Sequence, residues 1–347
     1  MNIEKRSARF GAAVLIFSLL LRLVGAVATP QARAESMSRL EGLVDYFNTG
    51  RLPHRGPGGV SLGTLSTGPA ETVPTLPSMP PTLPTQPPKP AWIHFSSSDL
   101  AYVNLQYGTD CSYRTEPERL LLQPLHWQME SEEPTVLIVH SHATESYTKA
   151  PGQTYQESGS YRTKDTDHNM VAVGDALASL LRARGIGVIH DRQLHDHPSY
   201  NAAYTNSRKS VEAYLEEYPT ICMVLDLHRD AALNADGSQY ATSATVNGER
   251  SAQLMLLAGT DSVSGKHPNW QENLALALKL QALLEKENPG ITRRTLLRGY
   301  VFNQDLCSGM LIVEVGTAGN TLQEALRAMA PLADAIAALK HGANREG

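Results

Sequence analysis

The segment Val136-Leu-Ile-Val-His-Ser-His-Ala-Thr-Glu145 joins a short apolar run to a cluster of polar side chains. An apolar run of this length that ends in polar residues is typical of a strand buried in a sheet with both faces covered. Ligands of such sheets bind just beyond the carboxyl ends of the strands. His140, His142 and Glu145 are therefore predicted to lie at the functional edge of a sheet.

Two later segments repeat this pattern. Ile221-Cys-Met-Val-Leu-Asp-Leu-His228 is followed by Arg229 and Asp230, and Met310-Leu-Ile-Val ends in Glu314. Because the carboxyl ends of parallel strands meet at one edge, we expect His228 and Glu314 to lie close to the first cluster. A lone histidine on an apolar strand is more often a core residue, so the joint occurrence carries this prediction.

Strand and helix signals alternate over residues 92–340. Asn169 opens a stretch with apolar residues at helical spacing, and Gly185 is a natural stop. Further helices are predicted at 204–218 and 270–286, and further strands at 186–189, 254–257 and 310–315. Asn320 is predicted as the N-cap of a last helix, with Gln323 completing a capping box. The alternation predicts an α/β fold with a mostly parallel central sheet and helices on both faces.

The chain outside that domain differs in composition. Residues 1–34 carry a basic flank and an apolar stretch from Phe10 to Ala28 that Arg22 interrupts. This stretch is either a signal peptide cleaved after Ala34 or, as we favour, a retained membrane anchor, and either way the body is exported. Residues 35–91 contain a Pro-rich run, which predicts a semi-rigid tether. The predicted catalytic domain then covers residues 92–340.

The charge balance excludes one class of partner. The formal net charge is −5, and Lys and Arg do not cluster along the chain. Nucleic-acid binding proteins neutralise phosphates with basic patches, so no nucleic-acid partner is expected.

The polar groups at the strand ends suit amide hydrolysis at a zinc ion. A catalytic Zn²⁺ takes three protein ligands and leaves a position for water. Suitable ligands are His140, His142, Glu145 and His228. His140 and His142 would share a face if the strand continued, so one of them binds the metal and the other orients or donates. Glu314 suits the general base that takes a proton from water and returns it to the leaving amine.

These three motifs, with two others, resemble those of the stage II sporulation protein P family. The resemblance covers roughly residues 115–335, although Ser141 stands where that family usually has Thr. It rests on five ordered segments: 136–147, Asp226-Leu-His-Arg-Asp230, His267-Pro-Asn-Trp-Gln-Glu-Asn273, Asn303-Gln-Asp305 and Leu311-Ile-Val-Glu-Val-Gly-Thr-Ala-Gly-Asn320.

The resemblance implies an amidase-like fold and a zinc-dependent N-acetylmuramoyl-L-alanine amidase of peptidoglycan, often with endopeptidase activity on cross-links. It implies a role in forespore engulfment beside a lytic transglycosylase, stage II sporulation protein D, and a membrane scaffold protein. Glu314 would be the general base, and His228 a zinc ligand. The first ligand stays open between His140 and His142.

The resemblance also implies an acidic third ligand near the first helix. Glu145, Asp165 and Asp167 compete for that role, and we rank Glu145 first. Arg229 is expected to hold a carboxylate of the muropeptide, because its fixed fork matches that group. Two alternatives stay open: a peptidoglycan endopeptidase that cuts only cross-links, and a non-catalytic module that binds the cell wall.

Overall fold

A computed structural model describes residues 92–129, 131 and 133–344. The expected anchor at residues 1–34 and the expected tether at 35–91 lie outside these residues. Among the helices of the described part, none has the length and apolar character needed to cross a membrane.

A central sheet of seven strands forms the middle of the domain, and a separate hairpin stands beside it. The strand order is β1-β8-β7-β9-β4-β2-β3. The sheet strands are β1 Leu105–Tyr107, β2 Val136–Val139, β3 Val188–His190, β4 Met223–Asp230, β7 Leu254–Ala258, β8 Thr295–Leu297 and β9 Met310–Thr317. The hairpin pairs β5 Ser243–Val246 with β6 Glu249–Ala252.

Every neighbouring pair in the sheet is parallel except β7 and β9, which run antiparallel. The prediction of a mostly parallel sheet is therefore confirmed. The carboxyl ends of β2, β3, β4 and β9 consequently share one edge of the sheet, where the polar residues of the sequence motifs were expected.

Helices cover both faces of the sheet, as predicted. They are α1 Pro117–Leu122, α2 Met170–Arg182, α3 Ala203–Glu217, α4 Trp270–Glu287 and α5 Leu322–Ala338. Val136 and Ile138 of β2 belong to the large core that includes α2, α4 and α5. Leu137 and Val139 pack instead with Val211 of α3. Alternation along the strand thus sends neighbouring residues to opposite helix layers.

The predicted elements lie within about two residues of the observed ones, which is the usual uncertainty of element ends. Asn169 caps α2, as its side chain accepts a hydrogen bond from the backbone N–H of Val171. Gly185 follows this helix with φ +76°, a left-handed conformation that glycine adopts without strain. Strands β1 and β8, helix α1 and the hairpin carried no signal strong enough to be predicted.

The predicted N-cap of the last helix was wrong by one residue. Thr321, not Asn320, caps α5, and Glu324 completes the capping box in place of Gln323. The Asn320 side chain instead accepts from the backbone N–H of Thr317 and donates to the Thr242 carbonyl. Asn320 therefore fastens the turn after β9 to the hairpin.

A buried lysine connects two of the helices. The Lys279 ammonium of α4 donates hydrogen bonds to the carbonyls of Leu120 and Leu121 at 2.9 and 2.7 Å, at the end of α1. Its side chain is only 1% exposed, and burial lowers the pKa of Lys279 to about 7. The lysine thus shares these two carbonyls with other donors, since Leu120 also accepts from the backbone N–H of Gln123 and Leu121 from the Asn344 side chain.

This depressed pKa predicts a pH-dependent stability. Between pH 7 and the ordinary lysine pKa, the unfolded chain binds more protons than the folded one, so stability rises with pH. Relative to Lys279→Met, we expect the unfolding free energy of the native protein to gain about 3 kcal/mol from pH 7 to pH 9.5. Denaturant unfolding of both proteins across this range measures the difference. Parallel pH profiles would show that the buried ammonium keeps its ordinary pKa.

Candidate active site

His228 and Glu314 lie side by side on adjacent parallel strands. They are register partners in the pairing of β4 with β9. Val224 of β4 and Met310 of β9 lie in the core beneath α3, and side chains two or four residues further along a strand share that face. His228 and Glu314 therefore occupy the same face at the carboxyl ends of their strands, where the sequence placed them.

Glu145 joins this pair from the turn after β2. Its Oε2 lies 3.5 Å from Nδ1 of His228, and the backbone N–H of Arg229 donates to the same oxygen at 3.2 Å. Burial alone would raise the pKa of Glu145, but Arg229, His228 and Arg162 together hold it well below its usual range. Glu145 is therefore an ionised carboxylate inside the protein, in contact with an imidazole.

His142 completes the cluster, and His140 does not belong to it. The His142 ring lies 5.5 Å from the His228 ring, at an interplanar angle of 77°. Nδ1 of His140 instead bonds the Leu227 carbonyl at 3.1 Å, and its Nε2 lies 2.8 Å from Nε2 of His190. Strand β2 ends at Val139, and the turn that follows sends the two histidines in different directions.

The structure also separates the acidic candidates. Asp165 accepts hydrogen bonds from His168 and from the backbone N–H of Asp167, and both aspartates are exposed. Of the three carboxylates considered, only Glu145 contacts His228. His190, one residue beyond the predicted strand 186–189, is the last residue of β3 and is held by Asp175 at 3.0 Å.

Arg229 is engaged within the protein. Its Nε donates to the Ser146 carbonyl, its Nη2 donates to the Tyr161 carbonyl, and its Nη1 lies 3.6 Å from Glu145. The side chain is buried. These contacts fix Glu145 and the turn around Ser146, so the geometry favours a positioning role over the expected contact with a substrate carboxylate.

Asp226 is a residue of the site that the sequence reasoning passed over. Its carboxylate accepts hydrogen bonds from the backbone N–H and the hydroxyl of Ser141, at 2.7 and 2.6 Å. Its Oδ1 lies 2.9 Å from Nε2 of His228. The signal was present in the sequence, because residues 226 and 228 of one strand must share a face. The backbone N–H and the hydroxyl of Ser141 together hold this carboxylate.

The titratable groups of the site have strongly shifted pKa values. Burial raises the pKa of Glu314 to about 8, with a further contribution from Asp230. Burial would lower the pKa of His228, but the carboxylates of Asp226 and Glu145 outweigh it and raise the pKa well above its ordinary value. Burial lowers the pKa of His142 to about 3. Perturbed groups that gather at one edge of a sheet are typical of an active site.

The donor chemistry of this cluster fits a zinc ion. Two imidazoles and a carboxylate are ligands that catalytic zinc sites use. Two buried atoms here, Nδ1 of His142 and Oε2 of Glu314, make no hydrogen bond within the described residues, whereas Nε2 of His228 lies 2.9 Å from Oδ1 of Asp226. Over the same residues, no three His, Cys, Asp or Glu side chains already stand in ligand spacing. The side chains would therefore have to draw together around a metal.

The site as described can position a water and a proton acceptor against a substrate. Arg162 closes one side, with its guanidinium bound to Glu145 and to Asp196 and lying over the ring of Tyr200. That ring stacks on His142, with ring centroids 4.4 Å apart. Arg162 and Tyr200 therefore form one wall of the cluster.

Comparison with known proteins supports one family. The family model described as stage II sporulation protein P matches residues 96–337. A curated protein described as stage II sporulation protein P, from Bacillus subtilis (strain 168), is 29% identical over 219 residues, which is 60% of this chain and 51% of that protein. The chain thus spans about half the length of this relative.

The solved structures that match this chain include two amidases. N-acetylmuramoyl-L-alanine amidase AmiC2 of Nostoc punctiforme is 14% identical, with 58% of this chain and 92% of that chain covered and a TM-score of 0.35. The CwlD amidase from Clostridioides difficile, solved in complex with the GerS lipoprotein, is 13% identical, with 60% and 98% covered and a TM-score of 0.36.

Proposed function

This chain belongs to the stage II sporulation protein P family, and from that premise and the geometry of the site we propose that it is a zinc-dependent peptidoglycan hydrolase acting in sporulation. Its reaction would be cleavage of the amide between N-acetylmuramic acid and L-alanine. The observation that carries the proposal is the pairing of His228 with Glu314 on one face, with Glu145 and His142 beside them.

His142, Glu145 and His228 would hold the zinc. The unpartnered Nδ1 of His142 and the ionised Glu145, whose Oε2 lies 3.5 Å from Nδ1 of His228, support this assignment. Bound zinc supplies a water whose pKa is lowered toward ~7 and a Lewis acid for the scissile carbonyl. Asp226 would act as an outer partner that orients the His228 ring, as carboxylates commonly do for ligating histidines.

Glu314 would act as the general base. Its carboxylate accepts a proton from the attacking water and delivers it to the leaving nitrogen, so the amide and one water become a carboxylic acid and an amine. The position of Glu314 beside His228, with one carboxylate oxygen free of hydrogen bonds to the described residues, supports this role.

The cell-wall partners are also part of the proposal. Family membership supports action during forespore engulfment, next to a stage II sporulation protein D-like lytic transglycosylase and a membrane scaffold. The apolar stretch at 10–28 would anchor the chain to the membrane, with the catalytic domain on the exported side.

Digestion of isolated sacculi by the purified protein tests the reaction. We expect mass spectrometry to find stem peptides with a free L-alanine amine and glycan strands that have lost peptides, and a zinc chelator should abolish their release. Cleavage at cross-links alone would make the protein an endopeptidase. Binding to sacculi without any released fragment would make it a cell-wall binding module.

A further inference from the structure

Tyr204 lies beside both imidazoles of the candidate site. It belongs to the first turn of α3, and its ring meets the His142 ring edge-on at 5.6 Å between centroids. The same ring lies nearly parallel to the His228 ring, at 6.5 Å and 17°. The aromatic body of Tyr204 is therefore placed against two proposed ligands.

The hydroxyl of Tyr204 makes no hydrogen bond to any residue from the described ranges, although the side chain is half-buried. A phenol is protonated at neutral pH, and a half-buried one without a protein partner has its O–H available to a ligand at the site. Tyr204 therefore offers a free O–H donor.

A turn from another part of the chain holds Tyr204 in place. Helix α3 begins without a side-chain cap. The Asn303 side chain donates to the Tyr204 carbonyl at 2.8 Å and to the Ser207 hydroxyl at 3.2 Å. Asp305 accepts two hydrogen bonds, both 2.9 Å, from Arg208. The segment 303–305, singled out by the sequence motifs, thus clamps the start of α3.

This turn is strained as well as anchored. Phe302 and Asn303 both have left-handed backbone angles, with φ of 51° and 60°. An aromatic residue rarely adopts this conformation, and such strain concentrates at functional sites. The conformation places the Phe302 ring 6.0 Å from the Tyr204 ring. Gln304 ties the turn to the sheet through the Leu257 carbonyl and the backbone N–H of Gly259.

We propose that Tyr204 is a catalytic residue that donates a hydrogen bond to the carbonyl oxygen of the scissile amide as that oxygen becomes negative. The inference rests on the proposed hydrolysis. Water adds to the carbonyl carbon, the C–N bond breaks, and the water proton travels through Glu314 to the nitrogen. The phenol keeps its proton throughout and stabilises the developing charge. Asn303 is the positioning residue that aims this phenol.

Tyr204→Phe tests the catalytic role, because it removes only the hydroxyl and keeps the ring against both histidines. Loss of one donor to a developing oxyanion lowers kcat by about 100-fold or more. We expect a loss of that size on purified muropeptide, with KM and zinc content unchanged. Tyr214→Phe makes the same change further along α3 and should keep full activity. A kcat within threefold of the native value would overturn the inference.

A binding measurement distinguishes a catalytic role of the hydroxyl from damage to the structure of the site. In a Glu314→Gln background, calorimetric titration with a disaccharide–tetrapeptide should give the same Kd with and without Tyr204→Phe. A matching loss of affinity, or of bound zinc, would show that the phenol merely shapes the site. Native protein that releases no peptide would overturn both the proposed function and this inference. Active native protein with a fully active Tyr204→Phe variant would overturn the inference alone.

The positioning role of Asn303 predicts non-additive effects. Asn303→Ala should lower kcat in the native background but cause little further loss when Tyr204 is already Phe, because both changes remove the same donor. Equal losses in the two backgrounds would show that Asn303 acts through general stability and not through the phenol.

Discussion

Glu314→Gln is expected to abolish hydrolysis while leaving zinc bound. The amide keeps the size of the side chain but cannot accept a proton from water. A positioned general base raises the reaction rate by about 10²–10⁴-fold. We expect kcat on purified muropeptide to fall by at least about 1,000-fold. Gln introduces no charge at this half-buried position, so the fold should tolerate the change.

Glu118→Gln provides the matched control, because Glu118 is an exposed residue of α1. It should leave both turnover and zinc content at the native level. Turnover by Glu314→Gln at the native rate would remove Glu314 from the mechanism. Loss of zinc from Glu314→Gln would instead identify Glu314 as a ligand.

His142→Gln and His140→Gln are expected to have opposite effects on the metal. His142 contributes an unpartnered nitrogen to the cluster, whereas both ring nitrogens of His140 face Leu227 and His190. Loss of a residue that only orients a metal ligand already lowers metal affinity by about 10–100-fold. Loss of a ligand itself should therefore weaken zinc binding by more than about 100-fold. His142→Gln should therefore lose both zinc and activity.

His140→Gln should retain zinc at native stoichiometry. It should also unfold more easily, by about 1–3 kcal/mol, because it disturbs a buried hydrogen-bonded pair. Elemental analysis after dialysis, with thermal unfolding of each variant, measures both effects. Zinc lost from His140→Gln and kept by His142→Gln would reverse the assignment.

Much of the fold followed from the sequence because its strands are apolar runs that end in polar groups. The runs before His140, His228 and Glu314 each form a buried strand at the predicted place. Short edge strands such as β1 and β8 were not predicted, since three residues carry too little periodicity. The observed N-cap of α5 lies one residue after the predicted one, because Asn320 and Thr321 are both good caps.

The site was predictable only where strand alternation decides which way a side chain points. The positions of His228 and Glu314 could be predicted, because each residue lies at the carboxyl end of a recognisable strand. The choice between His140 and His142 depends on the turn after Val139, whose path the sequence pattern does not reveal. Tyr204 could not be found at all, because its position depends on a clamp from Asn303, about one hundred residues away.

Anomalous diffraction at the zinc absorption edge, from crystals of the purified protein grown with zinc, tests the central claim most directly. We expect one strong peak within about 2.3 Å of nitrogen atoms of His142 and His228 and an oxygen of Glu145, with Glu314 nearby. A peak between His140 and His190, or no peak at this edge of the sheet in zinc-saturated crystals, would contradict it.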